Sequence, residues 1–185
     1  MENRMRKYAI STIILLLLCI TLTGCINNSG TGNETSQIVE NTSQLWDVQI
    51  NRAETASSME GSQSILQYNG EEETIPVQEL PGDGNVFLLL DLTITKKETG
   101  KGTFSWKNTY ILDEQGNKYK RNSNDTFLQE FGLTRLKNVD ITFGTNKGYV
   151  CYEVSNSIIK GNLWFIYEAQ NGEKIKIKIN NIKEY

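Results

Sequence analysis

Lys174-Ile175-Lys176-Ile177-Lys178-Ile179 alternates a cation with a β-branched apolar residue without a break. A period of two places the isoleucines on one face of a strand, toward a core, and the lysines on the other, in water. Lysines also discourage pairing with a further chain, so this segment is expected at an exposed sheet edge. A longer run, Val86-Phe87-Leu88-Leu89-Leu90-Asp91-Leu92-Thr93-Ile94-Thr95, carries Val86, Leu88, Leu90, Leu92 and Ile94 on one face. Its other face begins apolar and turns polar. It reads as a central strand, in which each fully buried leucine contributes about 1.5–3 kcal/mol.

The rest of the chain has the same texture. Residues 45–50 alternate, with Trp46, Val48 and Ile50 on one face. Residues 65–68 and 74–80 are short strands split by Asn69-Gly70 and Glu71-Glu72-Glu73. Pro81-Gly82-Asp83-Gly84-Asn85 is a turn. Residues 96–102 form a polar loop, followed by strands at 103–106 and 109–113. The turn Glu114-Gln115-Gly116-Asn117 leads into residues 118–120. Loose spacing of Phe127, Leu128, Phe131 and Leu136 predicts a short helix over 126–136. Val139, Ile141 and Phe143 point inward from a further strand, which Gly144-Thr145-Asn146-Lys147-Gly148 turns. Residues 149–154 carry Val150, Tyr152 and Val154 on one face and Cys151 on the other, and 163–167 is one more strand. Many short strands, frequent turns and almost no helical periodicity predict an all-β domain over 45–185, an antiparallel β-sandwich.

The N-terminus has another character. Arg4, Arg6 and Lys7 precede a fourteen-residue apolar run from Ala9 to Leu22, which closes on Leu22-Thr23-Gly24-Cys25. At about 1.5 Å per residue the run spans about 21 Å, short of a bilayer core of about 30 Å. It therefore suits a cleaved secretion signal. The small residues before a cysteine are those of a bacterial lipoprotein signal: residues 1–24 are removed between Gly24 and Cys25, and the Cys25 thiol takes a diacylglyceryl group. Two long acyl chains hold a protein at a membrane almost permanently. Localisation is thus expected at the extracytoplasmic face of the cell membrane. Residues 25–44, rich in Asn, Ser, Thr and Gly, read as a flexible tether with a reach of about 25 Å.

Composition excludes several classes of function. Removing residues 1–24 leaves 161 residues, enough for one domain and a tether, with 16 basic and 21 acidic side chains. The charges are interspersed apart from Glu71-Glu72-Glu73, and no basic stripe appears, so nucleic acid is not an expected partner. The chain contains no histidine, the commonest general base and transition-metal ligand. Cys19 lies in the signal and Cys25 is the lipid site, which leaves Cys151 without an intramolecular disulfide partner.

Three stretches together point to a family. They are the run from Val86 to Ile94, the hairpin Leu112-Asp113-Glu114-Gln115-Gly116-Asn117-Lys118-Tyr119, and Lys147-Gly148-Tyr149-Val150-Cys151-Tyr152-Glu153-Val154. Over about residues 46–179 the chain resembles small bacterial secreted lipoproteins whose domain is the immunoglobulin-like sandwich of the immunoprotective extracellular antigens. It departs from their pattern at Asn146-Lys147-Gly148 and at Ser155. The resemblance implies an immunoglobulin-like fold and supplies no catalytic residues.

Candidate chemistry is sparse. Cys151 lies mid-strand, where a thiol is buried and inert. Glu71-Glu72-Glu73, Asp113-Glu114 and Asp140 are carboxylates of the type used by glycosidases, but each falls where a solvated loop or strand face is expected. Asp83-Gly84-Asn85 and Asn122-Ser123-Asn124-Asp125 offer oxygen ligands for calcium without matching the twelve-residue calcium loop; turn chemistry explains both. Trp46 and Trp164 are expected in the core, and Trp106 is the tryptophan expected at the surface. The reading is a lipid-anchored domain that binds a protein or envelope-polymer partner without catalysis, cofactor or metal. The alternative is a small extracellular hydrolase using carboxylates.

Overall fold

The computed structural model describes residues 37–98 and 101–185. The signal and lipid-site residues Gly24 and Cys25 lie outside them. One sheet holds β2 (Trp46–Ala56), β5 (Asn85–Lys96) and β8 (Thr145–Ser155), with β11 (Lys183–Glu184) added parallel to β2, in the order β11-β2-β5-β8. The facing sheet has the order β1-β10-β9-β6-β7, from β1 (Ile38–Asn41), β6 (Thr109–Leu112), β7 (Lys118–Tyr119), β9 (Leu163–Glu168) and β10 (Lys174–Ile179). All these pairings except β11 on β2 are antiparallel. Numbered along the chain, β2, β5 and β8 occupy the A, B and E positions of an immunoglobulin-like sandwich, and β6, β9 and β10 occupy C, F and G. The expected fold class is therefore the observed one. Between the A and B positions the chain inserts a separate two-stranded sheet, β3 (Met59–Leu66) against β4 (Glu72–Glu79).

The main core fills the space between the sheets. Val86, Leu88, Leu90, Leu92 and Ile94 of β5 meet Val150, Tyr152 and Val154 of β8 and, across the gap, Leu163, Phe165, Tyr167, Ile175, Ile177 and Ile179. Aromatic rings fill one end. Phe104 stacks on Tyr167 at 4.3 Å between centroids, with Trp46 and Trp106 edge-on to Phe104 at 5.6 and 5.5 Å. Such pairs contribute about 0.5–1.5 kcal/mol beyond burial. The apolar start of the outer face of β5 has its own cover. Phe87 and Leu89 pack with Ala56, Met59, Cys151, Phe127 and Leu128 in a second core, capped by a 3-10 turn over Asp125–Gln129. Further along β5 the second core ends, and the outer face turns to Asp91, Thr93 and Thr95.

A bulge in β2 keeps that strand on the core. The register shifts between Ile50 and Arg52, so Asn51 is the extra residue. Ile50 and Ala53, which regular alternation would place on opposite faces, both reach the main core.

Several expectations are corrected. Residues 38–44, read as flexible tether, are not free: β1 pairs along β10, and Ser43 is buried with its Oγ accepting from Trp46 N at 3.0 Å. β10 consequently has a neighbour on both sides and is not a sheet edge. Residues 139–143 do not form a strand. Ile141 alone bridges to Phe104, while Val139 and Phe143 are exposed. Alternation selects a side but does not supply a neighbouring strand, and this segment meets Phe104 only in passing. Gly148 is not part of a turn, because β8 already begins at Thr145. The predicted helix over 126–136 shrinks to the 3-10 turn.

The Cys151 thiol is fully buried, and burial pushes its pKa far up. In a Cys19→Ser, Cys25→Ser chain, an aromatic disulfide reagent is expected to leave the folded protein unmodified and to label one thiol after denaturation. Rapid labelling of the native protein would contradict this packing.

Candidate functional site

Two polar assemblies stand out. The first lines an open cleft of about 640 Å³ at one end of the sandwich, between the β6–β7 hairpin and residues 155–162. The hairpin is shaped by Asp113, whose Oδ1 accepts from Asn117 N at 2.8 Å, while Oδ2 accepts from Asn117 Nδ2 at 2.8 Å and Tyr119 Oη at 3.1 Å. Gly116, at φ 87°, takes the left-handed position that this turn requires. Burial opposes ionisation of Asp113, but the bonds from Asn117, Tyr119 and the Gln115 backbone outweigh it and hold the carboxyl below its ordinary value. It is an acceptor fixed in its charged form, not a proton donor near neutral pH. Across the cleft, Glu114 Oε1 accepts from the Asn162 backbone at 3.1 Å and from its side-chain amide. This ties the two walls together. Lys160, Ser157 and Gln115 complete a lining that can donate and accept hydrogen bonds.

The second assembly is buried. Asp125, fully inaccessible, sits between two arginines. Its Oδ2 accepts from Arg121 Nε at 2.7 Å and its Oδ1 from Arg135 Nε at 2.6 Å. The Arg121 guanidinium lies 4.3 Å above the Trp106 ring, and its Nη2 donates to Leu136 O. The cluster links three stretches of an otherwise irregular segment to the flank of the sandwich. It was not foreseen from sequence. The four-residue spacing of Arg121 and Asp125 was its single local signal, and in a loop that spacing carries no meaning.

The remaining candidates are dispersed. Glu71, Glu72 and Glu73 are exposed at the end of the β3–β4 hairpin, and Asp140 is exposed in the 139–143 segment. Asp83 is exposed in its turn, and Asp125 is committed to its arginines. Among the described residues no group of three or more acidic or cysteine side chains is placed to hold a metal ion. The tryptophans exchange roles. Trp106 is buried, donating from Nε1 to Val139 O at 3.0 Å, whereas Trp164 faces outward beneath Lys176 Nζ at 4.7 Å. Trp46 is in the core as expected. The 3-10 turn at Trp106–Asn108 rolls the first of these rings inward, and the even register of β9 points the second out.

Strand order and core together define an antiparallel β-sandwich of immunoglobulin-like topology. No known protein family and no curated protein sequence matches the chain. Solved structures with similar backbones include a conserved hypothetical protein of Bacillus anthracis (TM-score 0.46, 15% identity, 76% of this chain and 92% of that one). Another is a candidate lipoprotein of Bacillus subtilis (0.47, 10%, 80% of this chain and 39% of that one). A third is a β-sandwich protein of Clostridium difficile (0.40, 14%, 76% and 89%).

Proposed function

We propose that the chain is a lipoprotein anchored through Cys25 at the extracytoplasmic face of the cell membrane. Its sandwich binds a protein or envelope-polymer partner and performs no catalysis. One observation supports this most: the residues best suited to chemistry are engaged in structure. Asp113 organises a hairpin, Asp125 bridges two arginines, and Cys151 is sealed in the second core. The sequence Leu22-Thr23-Gly24-Cys25, after a short apolar run, supports the anchor. Among the described residues no helix is long and apolar enough to cross a membrane.

Cross-linking on intact cells tests both parts. The wild-type chain is expected in the membrane fraction, carrying a diacylglyceryl group and a reproducible cross-linked partner. Cys25→Ser is expected to leave an uncleaved precursor without the lipid. Normal processing of the serine variant would refute the anchor, and the lack of any specific cross-link would refute the binding role.

A further inference from the structure

The β3–β4 hairpin is a sheet of two strands, an arrangement only marginally stable alone in water. Gly61, near its base, lies so close to Phe131 that a Cβ there would stand 2.6 Å from that ring. Beyond this contact the cover thins, and Ile65, Ile75 and Val77 are half-buried. Gly61 and Val77, Gln63 and Ile75, and Ile65 and Glu73 are paired on one face. Ile65, Ile75 and Val77 belong to neither of the two apolar cores. Leu66 is 72% exposed and Tyr68 wholly so. The outer edge of β3 is also open: among the described residues no backbone hydrogen bond reaches it from any strand but β4. β4 contains Pro76, which lacks a donor; β3 has no proline and offers a complete set.

Charge identifies the occupant. Between Arg52 and Lys96 the sequence holds eight acidic residues and no basic one. Five of the eight, Glu60, Glu71, Glu72, Glu73 and Glu79, lie on the hairpin, and no ion pair among the described residues includes them. Because the chain after residue 24 has 16 basic and 21 acidic side chains, the hairpin accounts for its whole charge excess. An anionic membrane surface and the hairpin of a second copy are both repelled.

We propose that the hairpin is a docking arm for a basic protein segment, which adds as a strand to the open edge of β3 with an apolar side chain beside Ile65, on the face that Ile75 and Val77 continue one strand further on. This rests on the binding role proposed above and specifies the partner's chemistry. Backbone hydrogen bonds along the edge supply affinity, and the glutamates select a cationic sequence.

The test uses the full chain in uncharged detergent and, as probe, an alternating lysine–valine peptide of about eight residues, with its glutamate–valine counterpart as control. Fluorescence anisotropy is expected to show binding of the basic peptide that weakens with added salt. A Glu71→Gln, Glu72→Gln, Glu73→Gln chain should bind it roughly tenfold more weakly. Amide exchange over residues 59–66 should slow when the peptide is bound. Failure of the basic peptide to bind, equal binding of the acidic peptide or by the triple variant, or unchanged exchange in β3 would overturn the proposal. So would a peptide-independent dimer that protects the same amides, which would assign the edge to a second copy. On cells, a cross-linked partner retained by the triple variant would overturn the arm while leaving the binding role intact; loss of the partner in that variant alone supports the arm.

Discussion

Asp125→Ala is expected to lower the stability of the sandwich by about 3–5 kcal/mol, read as a shift in the urea midpoint at constant slope. Both arginines would then lose their counter-charge in an environment from which Arg121 cannot escape. The Arg121 side chain is 4% exposed, lies against Trp106, and already has one terminal nitrogen without a partner. A loss of this size is a large share of the roughly 5–15 kcal/mol that holds a typical domain together. Replacing the group instead of breaking it should behave differently. Apolar residues of similar volume at 121, 125 and 135 together are expected to recover most of the loss, because desolvation of the charges is then no longer required. Salt should change the effect little, since the pairs are shielded from the solvent ions that screen surface charges. A loss below about 1 kcal/mol for Asp125→Ala would show that the arginines find water when the carboxylate is removed.

Gly148→Ala is the second large effect. Gly148 sits inside β8 at φ 148°, and a Cβ there would stand 2.5 Å from Thr134 O, 2.9 Å from Leu136 N and 3.1 Å from Arg135 C. All three are backbone atoms and cannot rotate away. The returning segment would have to lift off, breaking the bonds from Tyr149 N to Thr134 O (2.7 Å) and from Leu136 N to Tyr149 O (2.9 Å). Strain of about 1–3 kcal/mol adds to about 0.5–1.5 kcal/mol for each bond, for an expected loss of about 3 kcal/mol or more. Gly144→Ala is the control. Its φ is 69°, but nothing lies within 4 Å of a Cβ there, so conformational strain of about 1–2 kcal/mol is the whole penalty. Equal losses in chemical denaturation of the two variants would rule out the close approach at Gly148.

The features legible in the sequence are those in which side-chain pattern and burial coincide. The Lys/Ile alternation of β10 and the one-sided run of β5 each announce a strand and its inward face. What the pattern cannot announce is the neighbour. β1 joins β10 through its backbone while Ile38 and Val39 remain exposed, so nothing in their side chains distinguishes them from tether. The second half of β2 carries no strand signal because the bulge at Asn51 breaks the period of two. Val139 and Phe143 mislead in the opposite sense, with the right alternation and no ladder to join. At the site level, Glu114-Gln115-Gly116-Asn117 is the turn its residues announce, but Asp113, expected on a solvated face, is buried as the acceptor inside that turn, and the tie from Glu114 to Asn162 spans 48 residues. The partners of Asp125 lie 4 and 10 residues away in a segment whose one regular element is a short 3-10 turn, where spacing fixes no geometry.

The position of β1 also determines how the domain answers a pull. Tension on the chain ahead of Ile38 reaches that short ladder before anything else. Its backbone bonds to β10 meet the load with little side-chain burial behind them. The next resistance is Thr42, bonded to Lys174 through its backbone and hydroxyl, and then Ser43, held to Trp46 at the rim of the main core. β1 is therefore expected to act as a mechanical fuse, giving way before the sandwich behind it; single-molecule pulling from the N-terminal side should show a small early extension ahead of the main unfolding event.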